Sequence, residues 1–115
     1  MLKIIILTLA FTHTLSSQDH WETAIFANDY WSYLVPESEP ESTWNELNFD
    51  DSDWDIGVGG FGYGDGDDGT ITDQAISVYF RTNFEVEDLS KLSSAVISAD
   101  YDDGFIAYLN GVEIG

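Results

Sequence analysis

The sequence predicts an all-β fold, an antiparallel β-sandwich, on three observations. From Ser77 to Val86 apolar and polar residues alternate, with Val78, Phe80, Thr82, Phe84 and Val86 on one side and Ser77, Tyr79, Arg81, Asn83 and Glu85 on the other. That period of two is the mark of a half-buried strand. Asn110-Gly111 follows an apolar run, and this dipeptide suits a type I′ hairpin, whose two turn positions both need positive φ. Short apolar runs separated by Gly, Pro and Asp, without alternating strands and helices, complete the case for a sandwich over a parallel sheet.

The first element is not expected to belong to that fold. Residues 1–17, MLKIIILTLAFTHTLSS, place Lys3 before an apolar run from Ile4 to Phe11 and then small polar residues. This is the tripartite order of a secretory signal peptide, and the run is shorter than the roughly 20 residues a membrane helix needs. The competing reading is a buried N-terminal strand. Cleavage near Ser17 and Gln18 would leave a secreted or cell-surface chain with no membrane insertion. Residues 18–27 then read as a lead-in and 28–115 as a β-sandwich module.

Within the module, Tyr30 to Val35 is the first strand, ended by Pro36, whose missing N–H ends a ladder. Pro36 to Ser42 is a charged, proline-bearing loop. Ser42 to Leu47 and Asp50 to Trp54 are the best short helical candidates. Gly57 to Gly69, GVGGFGYGDGDDG, reads as an irregular acidic loop anchored by Phe61 and Tyr63. Strands follow at Ser77 to Val86 and Ala95 to Tyr101, and a hairpin joins Phe105 to Leu109 with Val112 to Ile114. An eight-stranded jelly roll would need another two to four strands beyond Gly115, so the sequence reads as an incomplete sandwich.

Charge excludes several function classes. The chain carries 22 Asp and Glu against 3 Lys and Arg, a net charge of −19. Removing Lys3 with the leader takes it to −20. Phosphate neutralisation needs clustered cations, so nucleic acid is not an expected partner, and an anionic membrane surface is equally disfavoured. Disorder is not the expected consequence of this acidity, because the chain is 43% hydrophobic and 15% aromatic, with four Trp. With no Cys, disulfides, thiol nucleophiles and thiolate metal sites are unavailable. Processing would leave His20 as the only histidine, at the new terminus, which argues against a Ser/His/Asp triad or a His-based zinc site.

Several pieces together resemble a family. Tyr30-Trp31-Ser32-Tyr33, Trp44, Phe49-Asp50-Asp51-Ser52-Asp53-Trp54 and Gly60-Phe61-Gly62-Tyr63-Gly64-Asp65 come first. Val78-Tyr79-Phe80-Arg81-Thr82-Asn83-Phe84, Asp100-Tyr101-Asp102-Asp103-Gly104-Phe105 and Tyr108-Leu109-Asn110-Gly111 follow in order. In this order they resemble the galactose-binding-like jelly roll of secreted bacterial multidomain proteins. The likeness is to modules attached to CotH-type kinase and lamin-tail domains, and to the sugar-binding domains that precede family 2 glycoside hydrolase barrels. The resemblance covers about residues 28–115. It implies a jelly roll with downstream domains on the same polypeptide, and any catalytic core would lie in those domains.

Two sets of site residues are candidates. Asp65, Asp67 and Asp68 in the glycine-rich loop, with Asp100 and Asp102 near the hairpin, offer the oxygen ligands that calcium takes six to eight at a time. The competing reading is that these aspartates cap turns through local backbone amides. DGDDG echoes part of an EF-hand loop, but the helices and the bidentate Glu are missing. For carbohydrate, Tyr63 and Tyr101 could stack on sugar faces while Asp103 and Asn110 hydrogen-bond the hydroxyls. Trp31, Trp44 and Trp54 are also available, although aromatic residues of small domains more often fill the core. Arg81 is expected to pair with a local carboxylate. Chance pairs of acids are common at this composition, and Gly57 to Gly69 lacks a P-loop lysine. The sequence therefore points to a noncatalytic binding or support module, with carbohydrate the expected ligand and calcium the candidate cofactor. The rival readings are an N-terminal accessory domain of an exported glycoside hydrolase or CotH-type kinase, and a structural spacer with a calcium site.

Overall fold

A computed structural model describes residues 2–11, 20–64 and 66–115. The chain is nearly all β, as the alternation predicts. Ten strands form in the order β1 (Leu2–Phe11), β2 (His20–Ile25), β3 (Tyr30–Leu34), β4 (Asp55–Val58), β5 (Phe61–Gly62), β6 (Thr70–Ile71), β7 (Tyr79–Arg81), β8 (Leu92–Tyr101), β9 (Tyr108–Leu109) and β10 (Val112–Glu113). One 3-10 turn, Leu89–Lys91, precedes β8, and the Asp88 carboxylate caps it by accepting from the Ser90 N–H.

Two three-stranded antiparallel sheets supply the framework, ordered β2-β1-β8 and β4-β3-β7. β9 and β10 form a separate hairpin, while β5 and β6 pair in parallel, the one departure from antiparallel pairing among the described strands. In β3 the alternation is direct: Trp31 is buried and Tyr33 packs on the core, while Tyr30, one residue before Trp31, is exposed. Leu7, Leu9 and Ile25 from the first sheet meet Trp31 and Phe61 in one cluster, which Tyr33, Phe80, Phe84, Val86, Leu92 and Ile97 flank. Phe61 is the centre, with its ring 4.6 Å from Phe80 and 5.2 Å from Tyr33. Aromatic pairs at such offsets add about 0.5–1.5 kcal/mol each beyond the area they bury.

The core is small. The chain exposes 8133 Å², against about 6,300 Å² for a compact monomer of 12.8 kDa. Its radius of gyration is 15.7 Å where about 13 Å is the compact value. Apolar residues accordingly remain on the surface, among them Ile56, Ile71, Ile76 and Val96.

The run Ile4 to Phe11 lies inside β1, the middle strand of the first sheet, and the cleavage point expected near Ser17 and Gln18 lies outside the described residues. Several other expectations change. Gly57 to Gly69 is not wholly irregular, since it contains the end of β4 and all of β5. Ser42 to Leu47 and Asp50 to Trp54 are not helices. They are separate turns closed by Trp44 N–H to Glu41 O, Glu46 N–H to Thr43 O and Trp54 N–H to Asp51 O. The strand expected over Ser77 to Val86 is confined to Tyr79–Arg81: it begins opposite Leu34, where β3 ends, and its ladder stops at Ser32↔Arg81 although β3 continues to Tyr30. Beyond that point Thr82 uses its side chain, donating to the Tyr30 carbonyl at 3.4 Å. The inward positions hold even so, with Phe80, Phe84 and Val86 all against the core.

The Asn110-Gly111 hairpin is as expected: φ is +50° at Asn110 and +82° at Gly111, between β9 and β10. Two further bonds, Ile114 N–H to Ala107 O and Ala107 N–H to Gly115 O, carry the pairing past the assigned strands.

Candidate functional site

The most organised polar centre lies where β7 ends. Arg81 leaves β7 toward the segment from Glu41 to Trp54, and its side chain is 9% exposed. Its Nε donates to Asp51 Oδ2 at 3.0 Å. One terminal nitrogen donates to the carbonyls of Trp44 and Glu46, and the other reaches the Phe49 carbonyl at 3.5 Å. The guanidinium carbon also lies 5.2 Å from the centre of the Phe49 ring. The fixed fork of donors suits Arg to this task, since a lysine ammonium is a single point charge. These bonds explain why the segment turns without becoming helical: carbonyls that a helix would use internally are drawn to Arg81. Arg81 thus pairs with a local carboxylate, as expected.

Aromatic rings brace the same segment. Trp44 stacks on Trp54 at 6.4 Å and meets Tyr79 edge-on at 4.9 Å and Tyr108 at 5.6 Å. Phe49 closes on Trp54 at 5.8 Å. Trp44 therefore ties the turn segment both to β7 and to the β9–β10 hairpin, whose Gly111 lies beside Asn45 and Glu46. Trp31 belongs to the main core, while Trp44 and Trp54 form this second, half-buried cluster.

On the outer side of the segment is a shallow open depression lined by Glu41, Thr43, Glu46, Asn48, Phe49 and Asp50. It combines one aromatic ring with hydroxyl, amide and carboxylate groups and no cation. The Asp50 carboxyl is held below the ordinary carboxylate range by hydrogen bonds from Ser52, so it stays ionised. Sequence reasoning did not single out this depression. Its signal was present in FDDSDW, read there only as a mark of the fold.

The residues expected to bind ligand sit on separate elements of the fold. Tyr63 is exposed in the glycine-rich loop after β5. Tyr101 ends β8, exposed, with its ring 4.7 Å from Phe105. Asp103, two residues on, has φ +71°, and Asn110 is at the hairpin turn. Among the described residues no hydrogen bond, ion pair or ring contact joins these four to one another. Asn110 comes nearest the depression, through its neighbour Gly111.

The acidic set falls in two stretches of the chain. Asp65 lies outside the described residues. Asp68 folds its carboxyl against Gly62, and Asp100 lies opposite Ile4 in the β1–β8 ladder. Asp102 accepts the Gly104 N–H through its carbonyl. Among the described residues no group of three carboxylate or imidazole side chains is placed to hold a metal ion. Nor, among the described residues, is any helix long and apolar enough to cross a membrane.

Comparison with protein-family models, with curated proteins and with solved structures gives no match to this chain.

Proposed function

We propose that the chain is a noncatalytic β-sandwich module of a secreted or cell-surface bacterial protein, and that it binds neutral carbohydrate. The observation that carries this reading is the depression around Phe49. A ring face can stack on the apolar face of a sugar, while Glu41, Thr43, Glu46, Asn48 and Asp50 accept and donate the hydroxyl hydrogen bonds. The Arg81 guanidinium is engaged behind it by main-chain carbonyls and Asp51, so the wall is rigid and presents no cation to an anionic ligand. A neutral polyol suits such a surface better than a phosphate or a carboxylate, which these acids would repel.

Asp50 and Asp88 are both pushed down by serine hydrogen bonds. A glycosidase general acid requires the opposite shift, toward a proton held near neutrality. The resemblance to galactose-binding-like jelly rolls agrees with a binding role, and downstream domains would then carry any chemistry of the parent protein.

A glycan array probed with the full chain tests this. Binding to a neutral oligosaccharide that Glu46→Ala weakens at least about tenfold is the expected result, about 1.4 kcal/mol for one lost hydrogen-bonding side chain. Silence across neutral glycans would remove the carbohydrate reading and leave a spacer.

A further inference from the structure

We infer that residues 2–11 have two mutually exclusive fates, export leader in the unfolded chain and central strand in the folded one, so that folding hides the leader and processing opens the first sheet. The inference rests on the leader reading of residues 1–17. Both halves are on the same ten residues. The apolar run behind Lys3 has the leader pattern, and β1 is the strand through which β2 and β8 join.

The pairing is extensive. β1 runs from Leu2↔Tyr101 to Phe11↔Leu92 along β8, and from Leu7↔Ile25 to Phe11↔His20 along β2. Leu7, Leu9 and Ala10 are three of the six buried apolar residues among those described. A leader must be free of the folded chain for the translocation and cleavage machinery to read its apolar run. In the folded chain that run pairs with β8 along its length and with β2 from Leu7 to Phe11, and Leu7 and Leu9 pack in one cluster with Trp31 and Phe61.

Loss of β1 cannot be healed by closing the gap. Neighbouring strands lie about 4.8 Å apart, so β2 and β8 stand about 9.6 Å from each other with β1 between them. Both run antiparallel to β1 and hence parallel to each other, so direct pairing would need a new ladder of a different pattern. Hydrolysis of the bond near Ser17–Gln18, with water giving OH to the new carboxylate and H to the new amine, would therefore leave two open edges and a halved core. Folding before export retains the leader as β1. Export before folding delivers a chain whose first sheet lacks its middle strand.

The test uses the full chain. In the refolded protein, amide exchange over Ile4 to Ala10 should be slowed at least about 10³-fold relative to an unstructured chain, in step with Trp31 to Leu34 of β3. A bacterial leader peptidase in detergent micelles should cut the urea-unfolded chain after dilution far faster than the refolded one. Ile97→Glu, which puts a charge on β8 opposite Leu7 and leaves residues 1–17 intact, should abolish that difference. Unprotected amides over Ile4 to Ala10 beside a protected β3 would overturn the inference, as would equal cleavage of both forms. Cleavage of neither form, with β1 protected, would also overturn it and would show that residues 1–17 are no leader; none of these outcomes touches the carbohydrate reading.

Discussion

Replacing Arg81 with alanine tests the internal logic of the candidate site most sharply. The substitution removes the ion pair with Asp51 and the donors for the carbonyls of Trp44, Glu46 and Phe49, at a side chain that is 9% exposed. Breaking a buried pair from one side costs about 3–5 kcal/mol, because the remaining groups stay desolvated. Asp51 is 27% exposed and recovers some hydration, which favours the lower end, about 3 kcal/mol. With a urea m-value of about 1.5 kcal/mol per molar, the unfolding midpoint should fall by about 2 M, read by tryptophan fluorescence because Trp44 and Trp54 report on this segment. Arg81→Lys keeps the charge but not the fork, so it should lose about half as much and keep the experiment measurable if alanine unfolds the chain. An Arg81→Ala midpoint within about 0.3 M of the parent, at unchanged m, would refute the idea that the guanidinium organises the segment.

Other outcomes follow from the same structure. Trp44→Ala should cost about 3–4 kcal/mol and erase much of the near-ultraviolet circular dichroism, since Trp54, Tyr79 and Tyr108 all lose their common neighbour. Gly59→Ala should destabilise by about 2–3 kcal/mol in urea, because a Cβ there collides with the Ala27 carbonyl beside the Gly59 N–H to Asp29 O bond. Asp88 is held below the ordinary carboxylate range chiefly by the Ser90 hydroxyl, then by the Ser90 N–H. Its contribution to stability is present at neutral pH and is lost as pH falls through the depressed folded-state value. Carbon-detected NMR titration should find that Ser90→Ala moves the Asp88 pKa upward. Calcium at about 1 mM should leave the thermal midpoint unchanged, because the described aspartates do not converge; a rise of several degrees would mean that Asp65 completes a site.

Local pattern was the readable part of this sequence. Asn110-Gly111 dictates its turn because both positions need positive φ, and Phe80, Phe84 and Val86 face inward because alternation leaves them no other side. Strand extent was less legible, since a ladder needs its partner: β7 begins only opposite Leu34, the last residue of β3. The turns from Glu41 to Trp54 depend on Arg81, some 30 to 40 residues away in sequence, and nothing local announces that a distant guanidinium will take their carbonyls. The same remoteness hid the depression around Phe49. Tyr63, Tyr101, Asp103 and Asn110 were chosen for chemistry and nearness to loops, and chemistry alone does not bring loops together. The run from Ile4 to Phe11 reads as a leader in the sequence and forms a strand in the structure, and composition cannot separate uses that need the same side chains.

Carbohydrate recognition at the Phe49 depression is the central functional claim, and residue-resolved NMR titration of the full chain with neutral oligosaccharides tests it most directly. The account predicts saturable shifts confined to Glu41 through Asp50 and the facing hairpin turn at Asn110 and Gly111. Shifts centred instead on Tyr63 or Tyr101, or none at millimolar sugar, would contradict it.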